Sequence, residues 1–167
     1  MVGWGPVRAA LVADVLGPVT ALLGLEPLRV LASPFVQVVG TVLSVAGLVA
    51  TFVTQLEMGT NWRIGVQGTE RTDLVTSGPF AVVRNPIFTA MAVTSLGLAL
   101  MVPNFIALGG AALLVVALQL QVRAVEEPYL RRVHGPAYAE YAARTGQSLP
   151  RLGRLPRHDE PASAGAV

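Results

Sequence analysis

No charged side chain occurs between Arg84 and Arg123. A run of that length is too apolar for the surface of a water-soluble domain. It is also too long for one membrane crossing, which takes about 20 residues. Its middle reads Met101-Val102-Pro103-Asn104. Proline lacks the N–H of a helical ladder and pushes the residue before it out of the α region. The run therefore predicts a helical hairpin, with arms Pro86–Met101 and Asn104–Val122 and a tight turn at Pro103-Asn104. Each arm of ~18 residues spans ~27 Å at 1.5 Å per residue, enough to cross a hydrocarbon core.

The remainder of the chain points the same way. Apolar residues make up 53% and charged residues 13%, with a mean hydropathy of +0.59. Average soluble domains carry about 25% charged residues, so the chain falls in the membrane class. Phe35 to Leu56 holds no charge and predicts a second region of spanning helix. Its small pairs Gly40/Ser44 and Ala46/Ala50, four residues apart, are the kind that bring helix backbones together in lipid. Val7 to Leu25 is the weakest of the four spans, interrupted by Asp14 and by Gly17-Pro18. Asp14 is expected near an interface, reaching out to water; a surface or re-entrant helix is the alternative. The fold class is all-α: a polytopic membrane bundle of about four helices, with short cytoplasmic helices added. Residues 1–154 form one domain and 155–167 a polar tail.

Charge orients the bundle. Every one of the 12 basic residues is arginine. The loop from Glu57 to Asn85 holds Arg63, Arg71 and Arg84, and the segment from Arg123 onward holds seven more, whereas the Pro103 turn holds none. The positive-inside rule then places the loop, the tail and both termini in the cytoplasm, as in an inner membrane protein. A cleaved signal peptide is not expected, because Met1 to Pro6 lacks a basic region ahead of a clean apolar stretch. The net charge of +2 gives no reason to expect a nucleic-acid partner. With no cysteine, and with His134 and His158 isolated, no metal site is expected.

Polar residues are scarce, so their positions carry the chemistry. They gather in two blocks. The first runs from Asn61-Trp62-Arg63 through Glu70 to Ser77-Gly78-Pro79-Phe80 and on to Arg84-Asn85-Pro86-Ile87-Phe88. Gly78-Pro79 is a turn signal, Asn85 suits a helix N-cap, and Pro86 suits the first helical turn. A plain alternative leaves Arg84 as a membrane anchor and Asn85 as a cap. The second block begins at Arg123. Glu126-Glu127 follow at the membrane boundary, where two adjacent carboxylates need partners. Pro128 and Gly135-Pro136 are expected to end or kink the helix, and Pro136 to Arg144 reads as a short helix carrying Tyr138 and Tyr141. The plain alternative here is an amphipathic interfacial helix.

Together the two blocks resemble the isoprenylcysteine carboxyl methyltransferases and their phospholipid methyltransferase-like relatives. The resemblance rests on Gly78-Pro79-Phe80, Arg84-Asn85-Pro86-Ile87-Phe88, the hairpin, Glu126-Glu127-Pro128-Tyr129-Leu130, Gly135-Pro136-Ala137-Tyr138 with Tyr141, and Pro150. It covers roughly Trp62 to Pro150. Asn85 stands where many members have histidine, Phe88 where many have tyrosine, and Pro128 stiffens a position usually free.

The resemblance implies S-adenosylmethionine as cofactor, held between the hairpin and the C-terminal segment, and a lipophilic acceptor entering between helices from the bilayer. Glu126 or Glu127 would bind the cofactor ammonium, or one of them would hold an arginine. Arg84 and the helix start at Asn85-Pro86 would face its carboxylate, and Tyr138 and Tyr141 would cover it. Gly78, Pro79, Phe88 and Leu130 complete the expected cofactor site. Arg84, Glu127 and Arg63 are the expected catalytic residues, with Arg63 or Arg123 orienting an acidic headgroup. Two rival readings remain open: an NADPH-dependent membrane reductase of the steroid-reductase type, and a membrane scaffold without catalysis.

Overall fold

Proline and glycine decide where the helices begin and end. The structure is a computed structural model that describes residues 5–58, 74–150 and 152–153. Asn61 to Arg63, Glu70 to Asp73, Arg151, Arg154, Arg157 and the tail 155–167 lie outside the described residues. The described elements are helical: α1 (Gly5–Leu22), α2 (Pro34–Met58), α3 (Pro79–Val82), α4 (Pro86–Met101), α5 (Phe105–Gln121) and α6 (Glu127–Arg144), with a π-helical segment Val122–Glu126 joining α5 to α6. Pro34, Pro79 and Pro86 each open a helix, where a missing N–H removes no ladder bond.

The hairpin turns where the sequence places it. Asn104 caps α5 by accepting the N–H of Ala107 at 2.8 Å, and its amide donates to the carbonyl of Gly17 at 3.1 Å. Thus the turn also anchors α1. α1, α2 and the helical stretch Phe105–Arg144 are each long and apolar enough to cross a membrane, and α4 is a shorter apolar helix. At 16 residues, α4 is ~24 Å long. The outer face of α2, including Val38, Val42, Val45, Leu48 and Phe52, is exposed. In water such a face would be a large apolar patch; against lipid tails it needs no cover.

α2 packs on α4, α4 on α5, and α5 on α1. The close approach of α2 and α4 depends on small residues. A Cβ on Gly40 would lie 2.7 Å from the carbonyl oxygen of Gly97, and one on Gly47 would lie 2.8 Å from that of Ala90. Gly40 and Ser44 are therefore a packing pair, as their spacing predicts. Ala46 and Ala50 are not: both are exposed on a neighbouring face, and Gly47 takes the interhelical position instead.

Asp14 corrects another expectation. It does not reach an interface but is buried, accepting the hydroxyl of Ser95 at 2.7 Å, with Gly110 of α5 packed against its backbone. Burial without a donor would be expensive, so α1 turns this residue into the bundle. Pro18 does not break the helix; α1 continues to Leu22.

The pairing sets polarity along the bundle. Val7 and Ala10 of α1 pack with Leu114, Ala117 and Leu118 of α5 and with Phe88 and Met91 of α4. The start of α1, the start of α4 and the end of α5 therefore share one end of the molecule. The end of α2 joins them, because Gly47 meets Ala90 while Gly40 meets Gly97.

Candidate active site

At this shared end, Gly78 adopts φ 56° and turns the chain into α3, a left-handed conformation that glycine accepts without strain. The segment after α3 then runs beside the segment that follows α6. Val83 and Gly146 form a single parallel bridge. The N–H of Arg84 donates to Gly146 O at 2.8 Å, and that of Asn85 to Gln147 O at 3.1 Å. Asn85 occupies the N-cap position of α4, yet its side chain makes no capping bond there. Its carbonyl accepts from the hydroxyl of Thr89, which also donates to Ser148 O at 2.9 Å.

Arg84 is the centre of the arrangement, with a side chain only 2% exposed. One terminal nitrogen, Nη1, donates to Ala142 O at 2.9 Å and Thr145 O at 2.7 Å. The other, Nη2, donates to Glu127 Oε1 at 2.7 Å and Gly153 O at 2.9 Å. Carbonyls at a helix C-terminus lack ladder partners and form the negative end of its dipole, so a cation at the end of α6 satisfies both needs. All four terminal donors of Arg84 are thereby taken by protein acceptors. Its Nε has no partner.

The two adjacent glutamates are treated differently. Glu127 pairs with Arg84 and is 12% exposed. Glu126 is half-buried and accepts no bond among the described residues. Burial first, and the neighbouring Glu127 charge second, push its carboxyl up to about 7. Its position follows from the π-helical segment, in which the N–H of Glu127 reaches back to Val122 O. Such widened turns recur at functional sites. They also accommodate Pro128, which does not end the helix: its ring would clash with the carbonyl four residues back in a regular α-helix. The break comes at Gly135, with φ 49°.

Tyr138 and Tyr141 pack edge to face, with ring centroids 6.2 Å apart and Leu74, Leu130 and Ala142 around them. Tyr141 donates its hydroxyl to Phe80 O at 2.7 Å, fastening α6 to α3. The Tyr138 hydroxyl has no partner although the residue is 1% exposed. Burial pushes both phenols up to about 12, aided for Tyr138 by Glu127 and for Tyr141 by Tyr138.

Of the expected site residues, Gly78, Pro79, Arg84, Asn85, Pro86, Glu126, Glu127, Leu130, Tyr138 and Tyr141 therefore lie in two interlocked segments at one end of the bundle. Phe88 sits one turn deeper, against the α1–α5 core. Arg123 is exposed within the π-helical segment, and Arg63 lies outside the described residues. Sequence reasoning missed Thr145, Gln147 and Ser148. Gln147 is buried, and its side-chain Nε2 has no partner. A polar run after a helix end is the only trace these residues leave in the sequence.

The chain is 33% identical over 103 residues to the nickel-cobalt-cadmium resistance protein NccN of Alcaligenes xylosoxydans xylosoxydans, covering 60% of this chain and 47% of that protein. It is 36% identical over 90 residues to the cobalt-zinc-cadmium resistance protein CzcN of Cupriavidus metallidurans, covering 52% and 40%. The matched region spans less than half the length of either relative. No solved structure matches significantly. The phospholipid methyltransferase profile matches residues 35–137, more than half the chain and from α2 into α6. The chain thus belongs to the phospholipid methyltransferase family, whose activity is methyl transfer by a membrane protein.

Proposed function

We propose that the protein transfers a methyl group from S-adenosylmethionine to a lipophilic acceptor at the cytoplasmic face of a membrane. One observation carries the reading: in a chain of this family, the Arg84 segment and the Glu126-Glu127 segment are locked together at one end of the bundle. Arg8, Arg123, Arg131, Arg132 and Arg144 are exposed at that end, whereas Arg29 and Glu26 lie towards the other. The positive-inside rule supports a cytoplasmic site, with both termini inside and the bundle in the plasma membrane.

The residues suit the amino-acid moiety of the cofactor. Its ammonium needs a carboxylate, and Glu126 is the one without a competing partner; Glu127 is held by Arg84. Its carboxylate needs donors, and among the described residues three buried ones have no partner: Arg84 Nε, Gln147 Nε2 and the Tyr138 hydroxyl. In this reading Arg84 is mainly a positioning residue that fixes Glu127 and the 145–153 segment. Gly78, Pro79, Asn85, Pro86, Phe88 and Leu130 form the walls, with the Tyr138–Tyr141 pair beneath the cofactor. When bound, the cofactor supplies an electrophilic methyl group on a sulfonium. The protein then aligns the acceptor in line with that methyl and keeps water away. Arg123, or Arg63, orients an acidic headgroup. The metal-resistance names describe the two relatives and identify no acceptor here.

The test is incubation of the purified protein with a native lipid extract and isotopically labelled S-adenosylmethionine, followed by mass spectrometry. A labelled lipid-soluble product that disappears with Glu126→Gln is expected. No product, with saturable binding of NADPH, would replace the proposal with a reductase. Binding of neither cofactor would leave a scaffold.

A further inference from the structure

α2 carries two stripes of small residues, and helix packing uses only one. Gly40, Ser44 and Gly47 meet α4. Ala46 and Ala50 do not; they line a groove of about 690 Å³ between α2 and α4. Val53 of α2, Val82 of α3, and Pro86 and Val93 of α4 complete its walls. No polar atom is exposed on them. The threonine hydroxyls at its edge are turned to backbone, Thr54 to Ala50 O at 2.7 Å and Thr89 to Ser148 O at 2.9 Å. Water inside would find no partner. The α2 wall, Ala46 to Thr54, is ~12 Å long at 1.5 Å per residue. It lies in the apolar body of α2 and α4, within reach of bilayer chains. Pro79, Val83 and Pro86 also line it, and Val83 and Pro86 flank Arg84 and Asn85.

We propose that this groove holds the hydrocarbon chain of the methyl acceptor, and that Ala46 and Ala50 set the bulk of chain it admits. The inference rests on the methyltransferase reading and adds where the acceptor's chain lies. The groove's physics is selective rather than adhesive. A chain leaving the bilayer exchanges one apolar surface for another, so burial adds little affinity. What the groove supplies is direction: a chain lying against Ala46 and Ala50 leads its headgroup past Val83 and Pro86 to the Arg84 cluster. Small residues are required because a larger side chain at either position would occupy the space of the chain itself.

The probes are hexadecanoic acid and hexadecanol, each with a mid-chain diazirine, added to the protein in phosphatidylcholine nanodiscs, irradiated, and mapped by mass spectrometry. Wild type should be labelled on Ala46, Ala50, Val53, Pro86 and Val93, and excess unlabelled chain should reduce that labelling by about tenfold. Ala50→Phe or Ala46→Phe should remove the competed labelling while S-adenosylhomocysteine still binds in calorimetry; Leu48→Phe, on the outer face, should change neither. Labelling spread evenly over Val42, Leu48 and Phe52 and not competed would mean annular lipid only, and would overturn the proposal. Because the wild-type competition is decisive by itself, misfolding of a variant does not rescue the idea. Competed groove labelling without S-adenosylhomocysteine binding would sink the methyltransferase reading instead.

Discussion

Replacing Arg84 with methionine tests whether one guanidinium holds the two halves of the site together. The substitution keeps an apolar stem of similar reach and removes four bonds: one to Glu127 and three to the carbonyls of Ala142, Thr145 and Gly153. It leaves a carboxylate that is 12% exposed without its cation. Breaking a buried ion pair by removing one partner costs about 3–5 kcal/mol. The partial exposure of Glu127 favours the lower end, about 3 kcal/mol. For a chain of this size 1 kcal/mol moves Tm by ~2–4 °C, so Arg84→Met should lower the transition by about 6–12 °C. Glu127→Met removes one charged hydrogen bond, about 1.5–3 kcal/mol, and leaves Arg84 its three carbonyls. The double variant leaves no orphaned charge, so its loss should fall short of the sum by about 1–3 kcal/mol. A thermal ramp in detergent micelles, followed by circular dichroism and light scattering, measures all four proteins. An Arg84→Met transition within about 2 °C of wild type, or a double variant equal to the sum, would refute the clamp.

Three other expectations separate roles that the sequence cannot distinguish. Tyr141→Phe should cost about 1 kcal/mol by losing the bond to Phe80, whereas Tyr138→Phe should be neutral or slightly stabilising, because that hydroxyl is buried without a partner; melting curves decide. Gly97→Ala would place a Cβ 2.5 Å from Ser44 N on α2, an overpacking worth about 1–3 kcal/mol that should appear as a lower transition and faster proteolysis. Glu126 has a folded pKa of about 7 against an ordinary 4.5. Both states are protonated below 4.5, so its contribution is harmless there; as pH rises towards 7 only the unfolded state ionises freely, and stability should fall over that window. Glu126→Gln should flatten this slope in melts taken from acid to neutral pH.

The hairpin was legible because Pro103-Asn104 interrupts a charge-free run, and the site's two halves were legible because arginine and paired glutamates are rare in such a chain. Partners were not. Ser95 meets Asp14 across 81 positions of sequence, and no local pattern marks the distance. A helical period shows that α2 has small faces but not which one meets α4, so Ala46/Ala50 and Gly40/Ser44 look alike until packing is seen. The π-helical turn was invisible too. Pro128 announced a disturbance, and the helix absorbed it by widening ahead of the proline. Carbonyl acceptors such as Ala142 and Thr145 have no sequence signature at all, so the partners of Arg84's terminal nitrogens could not be read from the sequence.

Titration calorimetry of the detergent-solubilised protein with S-adenosylhomocysteine, repeated with Glu126→Gln and Glu127→Gln, asks whether these two segments make a sulfonium-cofactor cavity. Saturable one-to-one binding is predicted, weakened more by Glu126→Gln than by Glu127→Gln and weaker as pH drops below about 7, where Glu126 takes up a proton. No heat with S-adenosylhomocysteine and saturation with NADPH would contradict it.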